Sequence, residues 1–289
     1  MPYATAKDDT RLFYKDWGKG EPIVLLHGWP LTGDTFDDLA LALADNGYRS
    51  IIPDRRGFGR SDQPWNGYDY DTFTDDVAAI LDEAGIDGPV AIAGFSMGGG
   101  EVARFQTKYP GRTSKAILIS SVVPYMLKTD DNPNGVPQAT FDDMTKGMKE
   151  DRAAFMIDFA KDFFGQGVID RPVSQGVLDD FWRQAMMAGQ RPTLGAAKAF
   201  ATTDFRPDLA NFPAETLVIH GDEDKTVPID ATAREVAKAV PGAKLVEYGG
   251  SAHGVFVTDK QRLIDDILAF LGTAQPAGSE ARSAIPLGA

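Results

Sequence analysis

The chain contains no cysteine, so disulfides, thiolate metal sites and a cysteine nucleophile are all excluded, and any covalent chemistry must use another side chain. It is also poor in positive charge. Against 42 Asp and Glu stand 29 Lys and Arg, a formal net charge of −13. Such a chain repels phosphate backbones and offers no basic stripe, which argues against nucleic acid as a partner; otherwise the acidity speaks only for solubility. No apolar run approaches the roughly 20 residues needed to span a bilayer, so no membrane partner is expected. From Met1 to Trp17 the sequence turns charged and amphipathic at once, with neither a basic n-region nor an apolar h-region ahead of a cleavage site, and a cytoplasmic location is expected. There is no internal repeat, no GxxxxGK[ST] loop, no GxGxxG at a strand end and no HExxH, which leaves nucleotide and zinc chemistry without their usual signatures; no metal and no organic cofactor is expected.

What the chain does have is a recurring set of short Val, Ile and Leu runs: Ile23 to Leu26, Ser50 to Ile52, Val90 to Ala93, Ala116 to Ile119, Thr216 to Ile219 and Lys244 to Val246. These predict buried parallel strands. Between them lie amphipathic stretches with helical spacing, Thr35 to Asn46, Tyr70 to Ala84, Gly98 to Tyr109, Asp230 to Ala239 and Lys260 to Leu271. Alternation of this kind implies βαβ crossovers and a mainly parallel sheet covered on both faces. Arg11 to Trp17, followed by Gly18-Lys19-Gly20, reads as an antiparallel edge hairpin. Between about Pro124 and Arg206 the strands cease and Phe and Met crowd together, among them Met126, Met144, Met148, Phe155, Met156, Phe159, Phe163 and Phe181. A helical insertion over the sheet is predicted, most of these residues filling its own core and a few facing a ligand at the carboxyl edge of the strands. The predicted organisation is a core of residues 1–123 and 207–273, a helical cap of 124–206 and a loose tail of 274–289.

The chemistry concentrates at Gly94-Phe95-Ser96-Met97-Gly98, directly after one predicted strand and directly before a helix. This is the context of a G-x-S-x-G nucleophile elbow: the Ser occupies a sharp, strained turn, and flanking side chains would collide with the neighbouring strand and helix. A Ser hydroxyl needs a base to take its proton, and only three histidines are available. His27 and His220 end predicted strands and read as structural. His253 lies in the loop after the last strand, over the sheet's carboxyl edge, and is the candidate base. The carboxylate that orients it must come from Asp222-Glu223-Asp224; Asp224 is preferred, two residues deeper in the loop, with Asp222 bracing the turn. Two amides must hold the developing oxyanion: that of Met97, following the nucleophile, and that of Trp29 in His27-Gly28-Trp29-Pro30. Pro30 lacks a donor and fixes its own φ, so it stiffens this loop. Trp29, Pro30, Phe95, Val123, Phe159 and Val227 are the residues expected to touch substrate. Asp54 to Asp62, with its glycines and paired charges, reads as a self-bridged loop supporting the site.

Taken together, HGWP at His27 to Pro30, DRRGFGRSDQP at Asp54 to Pro64, GFSMGGGEVARF at Gly94 to Phe105, HGDEDKTVP at His220 to Pro228 and GGSAHG at Gly249 to Gly254 closely resemble the α/β-hydrolase superfamily. Within it they are similar to the cofactor-free bacterial haloperoxidase and aryl esterase branch. The resemblance implies an α/β fold, a mostly parallel eight-stranded sheet flanked by helices with a helical cap. It implies a Ser96, Asp224, His253 triad with the Trp29 and Met97 amides as oxyanion hole, and hydrolysis of small esters with hydrogen peroxide as a second acyl acceptor. Pro30 after the Trp favours the peroxide-using members, and a homo-oligomer is implied as well. A lactone or strained cyclic amide is the alternative substrate for the same residues, and a non-catalytic ligand-binding relative the alternative class. Dehalogenase and epoxide hydrolase chemistry needs a carboxylate where Ser96 stands.

Overall fold

Runs that bury every residue make strands here because a sheet covered on both sides has no wet face to alternate toward. In the computed structural model, which describes residues 2–167 and 172–272, eight strands form one sheet. These are β1 (Tyr3–Thr5), β2 (Arg11–Gly18), β3 (Glu21–Leu26), β4 (Tyr48–Pro53), β5 (Val90–Phe95), β6 (Thr113–Ile119), β7 (Thr216–Gly221) and β8 (Lys244–Tyr248), in the order β1-β2-β4-β3-β5-β6-β7-β8. From β4 to β8 all pairings are parallel. β5 and β7, which carry the elbow and the acid-bearing loop, are buried at every residue.

The Arg11 to Trp17 segment is corrected by this topology. It forms β2, which is antiparallel to both neighbours, to β1 at the sheet edge and to β4 from Tyr14 opposite Pro53 to Gly18 opposite Arg49; only the hairpin across the glycine turn is absent. The glycine turn after it resembles a hairpin because Gly18 and Gly20 both have positive φ. The strand that follows passes beyond β4 to lie between β4 and β5, so the turn joins strands that are not neighbours.

Helices α1 (Asp37–Asp45), α2 (Tyr70–Glu83) and α3 (Met97–Lys108) follow β3, β4 and β5. Asp69 starts α2 by accepting the Thr72 N–H at 2.9 Å, an N-cap. Between β6 and β7 come α4 (Gln138–Phe163), α5 (Gln175–Met187) and α6 (Gln190–Thr202); among the described residues of this stretch only isolated bridges, such as Leu127 with Val136, have β geometry. α4 is interrupted at Asp151 (φ −150°, ψ 89°), whose side chain accepts the Ala154 N–H at 3.0 Å and restarts the helix. α7 (Ala233–Ala239), α8 (Val255–Thr258) and α9 (Lys260–Leu271) complete the chain as described. The helix expected from Asp230 is split at Thr232 (φ −128°, ψ −94°) into a 3-10 turn and α7. α9 turns Leu263, Ile264, Ile267 and Leu271 inward, a stripe at helical spacing, and packs on α1, while α2 packs on α3, so helices flank the sheet. The expected tail, 274–289, lies outside the described residues.

The candidate active site

Ser96 sits at the β5–α3 junction with φ 52° and ψ −117°, a left-handed conformation that costs of order 1–3 kcal/mol and persists only where its surroundings impose it. They do so here: its N–H donates to the Ile119 carbonyl at 2.8 Å, and its carbonyl accepts from Gly99 at 3.0 Å. The two motif glycines are required by close approach. A Cβ on Gly94 would lie 2.3 Å from the Gly98 carbonyl oxygen, and one on Gly98 would lie 2.1 Å from that of Leu26.

The three side chains predicted to work together converge. His253 Nε2 stands 2.9 Å from Ser96 Oγ, and His253 Nδ1 stands 2.6 Å from Asp224 Oδ2. All three are buried. Asp224 Oδ1 accepts the Thr226 and Val227 N–H groups at 3.0 and 2.8 Å. Burial pushes the Asp224 carboxyl up, but the His253 charge and the hydrogen bonds from His220 and His253 outweigh it and hold the group well below the usual carboxylate range. An ionised Asp224 fixes the proton on His253 Nδ1 and leaves Nε2 free to accept one from Ser96. Asp222 braces the histidine loop, its Oδ1 accepting the Gly250 N–H at 2.6 Å.

The amides of Met97, in the elbow itself, and of Trp29, in the loop after β3, have no protein acceptor among the described residues. Their positions are braced from behind. Tyr70 donates to the Met97 carbonyl at 3.1 Å, and the Trp29 indole donates to the Thr193 carbonyl of α6 at 3.0 Å. The Asp54 loop supports this side, as predicted. Asp54 Oδ1 accepts the Gly33 N–H at 2.8 Å, Asp54 Oδ2 accepts the Arg60 N–H at 2.8 Å, and Arg55 donates through a terminal nitrogen to the His27 carbonyl at 2.6 Å. The loop is only partly self-bridged, since Arg55 also pairs with Glu101 of α3 and Arg56 with Asp76 of α2.

His27 is buried, and its Nε2 accepts the Arg55 backbone N–H at 3.0 Å, which places its own hydrogen on Nδ1 toward the Gly28 carbonyl at 2.8 Å. Burial first, and the Arg55 charge second, hold this ring well below the ordinary histidine value of 6.5. The folded state therefore binds fewer protons than the unfolded chain once pH falls below 6.5, so the stability His27 contributes is complete above that pH and lost beneath it. Linkage makes stability fall as pH drops through this range, because the unfolded chain takes up the proton that the folded ring refuses. Denaturant unfolding from pH 8 to pH 5 should give a shallower slope for His27→Gln, which keeps an acceptor for Arg55 but does not titrate; parallel slopes would refute the assignment.

A cavity of about 590 Å³ opens onto Ser96 and His253. Of the residues expected to touch substrate, Trp29, Phe159 and Val227 line it. Three do not. Phe95 is fully buried beneath the site, its ring 5.0 Å from that of His253, because the last residue of β5 points into the core while Ser96 turns out. Val123 gives way to its neighbour Val122 in the loop after β6. Pro30 shapes the loop without facing the cavity. Phe141, Met144, Phe155 and Phe200 form further walls. Phe200 and Phe141 went unrecognised, although the buried Thr193, Ala196, Ala197 and Phe200 share one helical stripe that points to it. α4 also packs on His253: Phe163 lies 4.7 Å from the His253 ring and 4.9 Å from Phe181. Among the described residues no group of three His, Asp or Glu side chains could hold a metal ion, and no helix is long and apolar enough to cross a membrane.

Residues 21–260 match the model of the alpha/beta hydrolase fold family. The chain belongs to the α/β-hydrolase family. Within it, its relatives are the non-heme haloperoxidases. It is 44% identical over 274 residues to the non-heme chloroperoxidase CPO-A1 of Kitasatospora aureofaciens, covering 94% of this chain and 99% of the relative. It is 40% identical over 275 residues to the bifunctional esterase/perhydrolase DCH of Acinetobacter calcoaceticus, with the same coverage. The crystal structure of a bromoperoxidase from Bacillus anthracis superposes with a TM-score of 0.88 at 40% identity, covering 93% of this chain and 99% of that one. As in other α/β hydrolases, the order along the chain is Ser, Asp, His.

Proposed function

We propose that this α/β hydrolase cleaves small carboxylic esters through an acyl-enzyme on Ser96 and passes the acyl group either to water or to hydrogen peroxide. The observation that carries the proposal is the unbroken relay from Ser96 Oγ to His253 at 2.9 Å and from His253 to Asp224 at 2.6 Å. His253 takes the Ser96 proton as Oγ attacks the ester carbonyl, and the oxyanion is held by the Met97 and Trp29 amides, two donors that need no reorganisation when charge develops. His253 returns the proton to the leaving alcohol. Water or peroxide then enters the same position, gives its proton to His253, and releases the acid or the peracid while Ser96 recovers its hydrogen. A released peracid oxidises halide in solution, yielding the acid and hypohalite. Residues 124–206 serve as the cap that selects the substrate, their Phe and Met side chains offering the ester an apolar chamber. The proposal extends to a homo-oligomer in the cytoplasm, read by sedimentation and by fractionation.

The test is paired: hydrolysis of p-nitrophenyl acetate and formation of peracetic acid from acetate and peroxide, for the wild type and Pro30→Leu. The wild type is expected to perform both. Leu adds an amide N–H and frees φ beside the Trp29 amide, so the variant is expected to lose peracid formation several times more than hydrolysis. A wild type that makes no peracid removes the peroxide half of the proposal, and one inert to the ester removes the rest.

A further inference from the structure

The carboxylate of Asp224 faces two histidines, and the mechanism above uses only one. β7 ends at His220-Gly221, and the His220 ring is fully buried. Its Nε2 lies 2.9 Å from the Val227 carbonyl oxygen and 3.2 Å from Asp224 Oδ2, the oxygen that also faces His253, while its Nδ1 has no partner among the described residues. Both neighbours of Nε2 are acceptors, so the single imidazole hydrogen is assigned to Nε2. Leaving Nδ1 unpaired in the core has a cost. An apolar residue of similar size would avoid that cost, so the contacts at Nε2 are what this ring contributes. They do two things: the bond to Val227 ties the ring across the acid-bearing loop, and the approach to Asp224 gives Oδ2 a second N–H neighbour besides His253. With Oδ1 held by the Thr226 and Val227 amides, both carboxylate oxygens have contacts that hold Asp224 in place toward His253.

We infer that His220 is a positioning residue of the triad: it orients Asp224 and shares the charge of Oδ2 with His253. The inference rests on the assignment of Ser96, His253 and Asp224 made above. Removing the second donor leaves Oδ2 to His253 alone, and a carboxylate with fewer donors holds an imidazolium proton more strongly. The acidic limb of kcat/KM therefore moves to higher pH when His220 is lost. The other charged groups near this cluster are Asp222, Glu223 and Lys225 on the same loop, Glu247 of β8 in register with His220, and Asp158 and Asp162 of α4 on the cavity wall. Phe95 and Phe163, which pack on the His253 ring, are uncharged. None of these changes in the variants below.

The experiment compares full-length wild type with His220→Leu, His220→Asn and His220→Gln by pH profiles of p-nitrophenyl acetate hydrolysis, thermal melting and fluorophosphonate labelling of Ser96. Leu has no donor, and the shorter Asn cannot reach Oδ2; either is expected to lose about tenfold in kcat, the worth of one buried hydrogen bond, with KM little changed and the acidic limb raised. Gln carries an amide NH₂ near the place of Nε2, with a hydrogen for each acceptor, and is expected to restore the limb and most of the rate. Should Leu fail to fold, Asn carries the comparison. Melting points that fall while the acidic limb of the folded Leu and Asn enzymes coincides with wild type overturn the inference, as does a Gln variant that behaves like Leu. Absence of label on wild-type Ser96 instead removes the triad assignment itself, and the inference with it.

Discussion

Ser96→Ala is expected to reduce turnover of p-nitrophenyl acetate by about 10⁵–10⁶-fold while leaving the protein folded. The Oγ atom has a single protein partner among the described residues, His253 Nε2, so its removal strands no other group in the core. The backbone already holds a Cβ at φ 52°, and Ala imposes no new clash. His253 keeps its tautomer because Asp224 and the Phe163 and Phe95 rings still hold it. What vanishes is the covalent step, and with it every benefit the base and acid deliver, since such residues act as a unit. The oxyanion amides survive in the variant, which is why activity falls to a residue above the uncatalysed rate rather than to nothing. Initial rates, fluorophosphonate labelling and circular dichroism on the same preparation decide the matter: a folded variant within tenfold of wild type sinks the acyl-enzyme.

The parts of this site that were legible in the sequence are those that local geometry dictates. The glycines at 94 and 98 report a turn whose tightness depends on five residues, and His253 was reached because only three histidines exist and two of them end strands. The chamber was less legible, because its walls are set by how α4 and α6 cross the sheet, which no spacing encodes. Phe200 reaches the cavity only because α6 is anchored on Trp29, whose ring lies 5.6 Å from it. Val122 and Val123 lie in the irregular loop after β6, where no periodicity says which of two neighbours faces the cavity. The hairpin across Gly18-Lys19-Gly20 fails for the same reason: the glycines make a turn, but β2 pairs with β1 and with residues 49 to 53, the latter far along the chain. His27 and His220 both lie at strand ends, and what each holds depends on a loop that folds back onto it: Arg55 for His27, Val227 and Asp224 for His220.

Glu101→Leu is expected to be the most destabilising of the substitutions considered, at about 3–5 kcal/mol, because it leaves a buried guanidinium without its counter-charge. Arg55 Nε donates to Glu101 Oε2 at 3.0 Å, a terminal nitrogen of Arg55 makes a second contact with the same oxygen, and both side chains are 3% exposed. Burial pushes the Glu101 carboxyl up and the Arg55 charge pulls it part of the way back; the pair is costly to bury and costlier to break. A neutral pair of similar volume avoids both costs, so Arg55→Met/Glu101→Leu should recover most of the stability in denaturant unfolding. Turnover should not recover with it. Arg55 also donates to the His27 carbonyl at 2.6 Å, two residues before the Trp29 amide, while Glu101 rides on the helix that begins at Met97. The ion pair thus ties the loop carrying one proposed oxyanion donor to the helix carrying the other, and preorganised donors lose their advantage when they are free to drift. The double variant is expected to fold well and to run about tenfold slower than wild type, in line with one lost hydrogen bond to a positioning group. Full recovery of both stability and turnover would reduce the pair to a packing element, and recovery of stability alone makes it the brace of the oxyanion hole.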